Sequence, residues 1–143
     1  MKRDTTAYAA SGSFKDKADC SIRALAVATG VSYTVASMTF SARGRRLGKG
    51  TDVALSTQLH EEVLGMRRVT LAEGLRLEAF LEVARTGCYI IHKKGHAFAV
   101  IDGVVHDWSN TSKESTCIRR CWKVTEAATA KMAAMEALVK ELS

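Results

Sequence analysis

Three residue types suited to nucleophilic hydrolysis follow one another along the chain: Cys20, His96 and Asp107. A thiol attacks a carbonyl as the thiolate, and an imidazole steadied by a carboxylate can take up and return the proton. Cys20 directly follows Asp19, a helix-capping residue type, so the thiol is expected in the first turn of a helix. Unpaired N–H groups and the positive end of the helix dipole favour an anion there and lower the thiol pKa. Taken alone, a cysteine is commonly just a small buried hydrophobe. His96 opens a β-forming run immediately after Lys93-Lys94-Gly95, and Asp107 closes the next run beyond an Asp102-Gly103 turn. A two-residue hairpin there pairs Ile101 with Val104, so His96 faces the neighbourhood of residue 109. Asp107 then lies along the adjacent strand, close enough to orient the imidazole. Singly, such residues are ordinary solvated strand ends. Their order, with Cys on a helix terminus, His on a strand and Asp on the following strand, is what points to a Cys-His-Asp triad. Trp108 either shields that triad from water or anchors the sheet, and both readings stay open.

The elements that must hold these groups follow from spacing. Residues 1–18 show no sustained periodicity and read as an N-terminal arm. An Ala-rich helix runs from the Asp19 cap to Gly30, its small side chains suited to close packing. A second helix covers Ser32 to Phe40. Thr51 or Asp52 caps a third, which runs to about Leu64 and ends at Gly65, and His60 on it reads as exposed. A short strand at Arg67–Thr70 and a fourth helix at Leu75–Ala84 come next. Cys88–Ile91, His96–Ile101 and Val104–Asp107 form an antiparallel meander, and Cys117–Val124 adds a strand. Residues 125–143 form a C-terminal helix capped by Thr125. Helices followed by an antiparallel sheet indicate an α+β class, with the nucleophile helix packed on the sheet, in one domain.

Composition narrows the classes. A chain of 143 residues with 47% hydrophobic and 25% charged residues is that of a folded domain rather than a disordered one. No apolar run is long enough to span a bilayer and no signal-peptide core follows Met1, so a cytoplasmic location without membrane partners is expected. The four cysteines (20, 88, 117 and 121) are expected to be reduced thiols. Cys117-x-x-x-Cys121, with His92 and His106 not far away, lacks the paired spacing of a zinc site, and neither metal nor organic cofactor is expected. The basic residues behind the net charge of +6 are unevenly spread: Arg67-Arg68, Lys93-Lys94 and Arg119-Arg120 form pairs, and Arg43, Arg45, Arg46 and Lys49 crowd one loop, which reads as a solvated turn and otherwise as a possible nucleic-acid contact. The same segment, Gly44 to Thr51, misses phosphate-loop spacing.

The stretch Asp19-Cys20-Ser-Ile-Arg-Ala-Leu-Ala26 resembles the Asp-Cys-Gly-x-Ala-x-Leu-Ala motif of the bacteriocin-processing, double-glycine peptidases, a branch of the papain-like superfamily. Gly95-His96-Ala-Phe-Ala-Val-Ile101 is similar to their His-bearing strand, and Val104-Val-His-Asp107 to the strand that ends in their Asp. Gly50 to Met66 is similar to their intervening helix, Leu-Gly and short strand. The likeness spans residues 19–107. It implies a papain-like fold, Cys20 as nucleophile, His96 as general base and acid, Asp107 as the residue orienting His96, and a peptide or protein substrate.

One position departs from that pattern. Papain-like enzymes usually carry a Gln about six residues before the nucleophile, whose amide helps hold the oxyanion, and here Phe14 stands there. Ser13 and Lys15 are the candidate replacements, beside the backbone N–H of Cys20. The alternative function is a catalytically degenerate papain-like fold that binds another protein as an inhibitor or adaptor.

Overall fold

The computed structural model describes residues 1–10, 18–46 and 48–143. Ser13, Phe14 and Lys15 therefore lie outside the described residues. The described residues form an α+β structure around a mixed sheet of six strands: β1 (Lys2–Asp4), β2 (Arg67–Arg68), β3 (Cys88–Lys93), β4 (His96–Ile101), β5 (Val104–His106) and β6 (Arg120–Lys123). Their spatial order is β1-β5-β4-β3-β6-β2, with β1 parallel to β5 and every other pair antiparallel. The β4–β5 hairpin has the expected two-residue turn, pairing Ile101 with Val104 and Ala99 with His106. Asp102 and Gly103 both take positive φ (48° and 79°), the left-handed pair that this tight hairpin turn requires. Asp102 also ties the turn to the start of β3: its Oδ1 accepts from Gly87 N at 2.9 Å, and its own N–H donates to Gly87 O at 2.8 Å.

Both faces of the central strands are covered, which explains why β3 and β4 read as nearly continuous apolar runs. On one face, Ile90, Ala97 and Trp122 join a core with α2 (Cys20–Thr29), α3 (Tyr33–Ser41) and α6 (Glu126–Leu142). On the other, Ile91, Phe98, Val100 and Cys121 pack with Tyr8 from α1 (Thr6–Ala10) and with Leu77 and Phe80 from α5 (Leu77–Val83). Ala24 and Ala26 of α2 and Ala97 and Ala99 of β4 are all buried. Small side chains on both partners let this helix approach the strand closely, and α2 is the helix that begins with Cys20. Gly30 ends it in the left-handed conformation, its N–H donating to Ala26 O. The C-terminal helix docks on its own chain through Ala128 and Met132, and Thr125 caps it by accepting from Ala128 N.

Two expectations need correction. Residues 1–10 of the expected arm are structured. Lys2–Asp4 adds a parallel strand beside Val104–His106, and Thr6–Ala10 forms a helical turn that buries Tyr8 completely. A three-residue edge strand of Lys, Arg and Asp carries no apolar alternation, so periodicity does not reveal it. The third helix is split: α4 (Val53–Thr57), capped by Asp52 Oδ1 accepting from Leu55 N at 2.7 Å, runs on into a π-helical stretch at Gln58–Val63. The wider turn rotates the later residues about the axis, and His60 becomes buried rather than exposed. Among the described residues, no helix is long and apolar enough to cross a membrane.

Tyr8 fills the core and its hydroxyl donates to Ala97 O at 2.8 Å. Tyr8→Phe is expected to cost about 1 kcal/mol by losing that bond, and Tyr8→Ala about 3–5 kcal/mol by also opening a cavity. Urea unfolding checks both values, and an unchanged midpoint for Tyr8→Ala would show that the N-terminal segment does not contribute to the core.

Candidate active site

The hairpin register puts Asp107 just past the end of β5 and His96 at the start of β4. There the imidazole Nε2 meets Asp107 Oδ1 at 2.6 Å. Asp107 has no exposed surface. Its Oδ1 also accepts from the Trp108 backbone N–H at 2.7 Å, and Arg3 Nη1 stands 4.0 Å from Oδ2. Burial works to raise the Asp107 pKa. The hydrogen bond and charge of His96, helped by the Ser112 and Thr111 side chains, outweigh it and hold the carboxyl below its ordinary value. With Nε2 committed to Asp107, Nδ1 is the nitrogen left to face Cys20.

Cys20 is the first residue of α2 and sits half-buried with its thiol in hydrogen-bonding relation to His96. Burial alone would raise its pKa. The His96 hydrogen bond and charge, the Ala97 backbone N–H and the Ser21 hydroxyl reverse that and hold the thiol below its usual value. Burial likewise works to lower the His96 pKa, yet Asp107 and Cys20 together lift it to about 9. The two shifts share one origin, since the groups lie against each other and each favours the other's charged form. Cys88 and Cys121 contrast with it, since burial pushes each of those thiols up to about 12.

Ala97 has a place in this geometry. Hydrogen-bonded pairs along the hairpin alternate, falling at residues 101 and 99 and next at 97, but β5 stops at His106, the partner of Ala99. The Ala97 peptide therefore has no strand partner on that side. Its carbonyl accepts from the Tyr8 hydroxyl, and its N–H lies toward the Cys20 sulfur. Tyr8 also sets its ring edge-on to His96 (centroids 6.2 Å apart) and to Trp108 (5.4 Å). Burial pushes its phenol pKa up, so the hydroxyl stays a donor.

A cleft of about 710 Å³ opens over these groups, lined by Cys20, His96, Trp108, Gly50, Thr51 and residues of the β3–β4 turn among others. Trp108 is partly exposed there, and the guanidinium of Arg23 stacks on it at 4.6 Å. Asp19 does not cap α2 with its side chain. Its Oδ1 instead takes Arg23 Nε at 2.9 Å, while Arg23 Nη1 donates to Tyr8 O and Ala9 O at 2.8 Å. Arg23 thus joins α2 to α1. Arg3 does the same for the Asp107 loop, donating to Trp108 O at 2.8 Å and to the side chain and carbonyl of Ser112.

Sequence reasoning missed Tyr8, Arg3 and Arg23 as parts of this site, although the i,i+4 spacing of Asp19 and Arg23 was visible. It also grouped Arg45 with a solvated turn. Arg43, Arg46 and Lys49 are exposed, but Arg45 is buried, donating to Ala18 O at 2.9 Å and Thr51 Oγ1 at 3.2 Å. It braces the chain before Cys20 against the opposite wall of the cleft. Cys117 is exposed and Cys121 buried, so the two do not form a pair of ligands, and among the described residues no cluster of three potential metal ligands occurs. The chain matches no family model, no characterised protein and no solved structure.

Beside the cleft, His60 and His92 pack against Trp122 with centroids 4.6 and 4.7 Å away. Burial, and then the neighbouring charges, depress their pKa values to about 3 and about 4. Both are neutral in the fold and gain a proton at pH 6.5 only when unfolded. Their contribution is present above the unfolded value and is lost as pH falls toward the folded ones. His96 has the opposite sign, since its contribution is full below the unfolded value and is lost as pH rises through about 9. Between about pH 6.5 and pH 5, above the carboxylate range, Tm is expected to fall in the parent protein and to fall less in His60→Phe. Parallel Tm curves would contradict the burial of a neutral imidazole.

Proposed function

We propose that this chain is a cysteine hydrolase of papain-like architecture that cleaves peptide or isopeptide bonds through a thioacyl-enzyme intermediate. The observation that carries the reading is the 2.6 Å bond from His96 to a fully buried Asp107, with the Cys20 thiol at a helix N-terminus on the imidazole's other side.

The reaction follows from that arrangement. The Cys20 thiolate attacks the carbonyl carbon, forming a C–S bond and a tetrahedral oxyanion. The Cys20 backbone N–H, on the attacking residue itself at the start of α2, stabilises that oxyanion with the help of the helix dipole. As the C–N bond breaks, the imidazolium gives its Nδ1 proton to the departing amine, leaving a thioester on Cys20 and a neutral imidazole. Water then loses a proton to His96 and adds to the thioester. The acid product leaves and the thiolate–imidazolium pair is restored. Asp107 keeps the ring in the orientation that points Nδ1 at sulfur and stabilises its positive charge. All protons and electron pairs balance without an external oxidant or a metal ion.

Labelling with iodoacetamide tests the nucleophile. At about pH 6–7, below the ~8.5 of a free thiol, mass spectrometry is expected to find the label on Cys20 ahead of exposed Cys117, and His96→Ala should abolish that preference. Equal, slow labelling of all thiols would overturn the reading. Against a mixed fluorogenic peptide library, Cys20→Ala is expected to be inactive and Asp107→Asn to lose roughly 10²–10⁴-fold in kcat/KM. The kcat/KM profile is expected to rise through the lowered Cys20 pKa and to fall as His96 loses its proton near pH 9. Undiminished hydrolysis by Cys20→Ala would assign the activity elsewhere.

A further inference from the structure

The cleft over Cys20 has a one-sided charge. Among its described lining residues are Lys93, Lys94, Arg119 and Arg120, and the sole carboxylate is Asp19, which is already bound to Arg23. The fold groups the four cations. Lys93 is the cross-strand partner of His96, Lys94 follows in the turn, and Arg120 is the partner of His92 on β6. The Arg119 backbone N–H donates to His92 O at 2.8 Å, fixing that stretch against the end of β3. All four therefore sit at the end of the sheet where His96 begins β4. Among the described residues, none of them has a carboxylate within ion-pairing distance. Lys93 Nζ donates to Thr111 O, a neutral acceptor that leaves its charge unbalanced.

From this grouping we infer that the substrate is an acidic peptide segment, with Asp or Glu side chains lying over the β3–β4 turn on the Lys93–Lys94–Arg119–Arg120 side of the scissile bond. The inference rests on the hydrolase reading above. A single-sign cleft with low-dielectric walls focuses its field on the mouth of the site and concentrates ligands of opposite charge. Two arginines in the group suit oxyanions, because the guanidinium fork can take both oxygens of a carboxylate, as it can two oxygens of a phosphate. Nucleic acid is the less favoured occupant, since sequence-tolerant strand binding uses exposed aromatic faces. Trp108, the indole lining this cleft, is only partly exposed, with Tyr8 packed edge-on against it and Arg23 stacked on its ring.

Two small alkylating agents that differ in charge isolate the field from the chemistry. The rate of Cys20 alkylation by anionic iodoacetate is divided by the rate with neutral iodoacetamide, which cancels any change in thiolate fraction. Relative to the same ratio for 2-mercaptoethanol, the protein's ratio is expected to be higher by about tenfold at low ionic strength and to fall as salt is added. The double charge reversal Lys94→Glu/Arg119→Glu, at two exposed positions, should lower the ratio severalfold. Reversal of the remote Lys131 on α6 should leave it unchanged. A Glu-rich peptide should slow iodoacetamide labelling of Cys20 more than a Lys-rich peptide of equal length. A ratio matching the free thiol, with rapid iodoacetamide labelling retained, would overturn the acidic-substrate inference while leaving the hydrolase reading intact. Protection by a single-stranded oligonucleotide equal to that by the Glu-rich peptide would overturn the peptide assignment. Slow iodoacetamide labelling at neutral pH would remove the hydrolase reading, and this inference with it.

Discussion

A carboxylate with no exposed surface sits at the end of a sheet, and its charge has to be balanced from within. Removing Asp107 from water costs several kcal/mol even after relaxation, unless hydrogen bonds and opposite charge offset it. The His96 imidazolium, the Trp108 N–H and the nearby Arg3 supply that compensation. Much of the surrounding architecture follows from this requirement. The parallel strand β1 delivers Arg3 to the loop after β5, and Arg3 in turn fixes that loop through Trp108 O and Ser112. His96, lifted to about 9 with the help of Asp107, is in turn the group that favours the charged form of the thiol at the start of α2. Burial opposes ionisation at all three positions, and their mutual proximity reverses it at each.

Close approach of a helix to a strand is the second condition. Ala24 and Ala26 on one side and Ala97 and Ala99 on the other bring the axis of α2 near β4. The hairpin's early end at His106 leaves the Ala97 peptide without a strand partner. Tyr8 and Cys20 occupy its two polar groups, so an unfinished ladder becomes part of the site. Extending β5 by two residues would bring a backbone partner to Ala97 and remove that arrangement. The same segment of chain that fills the core through Tyr8 thus also holds the peptide whose N–H faces the thiol.

The hairpin and the helix that begins with Cys20 are legible because local chemistry specifies them. Asp102-Gly103 strongly favours the two-residue turn and the register it sets, which is why the sequence alone places Asp107 near His96. Gly30 and Ser32 marked the boundary between two helices in the same way. What escaped notice depends on partners distant in sequence. Lys2–Asp4 is a strand only because Val104–His106 offers an edge, and Tyr8 is core only because β4 lies beneath it. His60 misled for a geometric reason, since its helix widens to π spacing and changes which face is buried. Arg45 and Asp19 illustrate a third kind of miss. Their residue types suggested a solvated cation and a helix cap, whereas the fold recruits them into bonds with Thr51, Ala18 and Arg23.

The central claim is that Cys20 and His96 exist as a thiolate–imidazolium pair near neutral pH. Thiolate absorbs in the ultraviolet and thiol does not, so the difference in absorbance between the parent protein and Cys20→Ala, followed against pH, reads the pair directly. A thiolate signal already present at neutral pH, lost on acidification and shifted to the free-thiol range in His96→Ala, is the predicted result. A single transition near the ~8.5 of an unperturbed cysteine, unmoved by His96→Ala, would contradict the account.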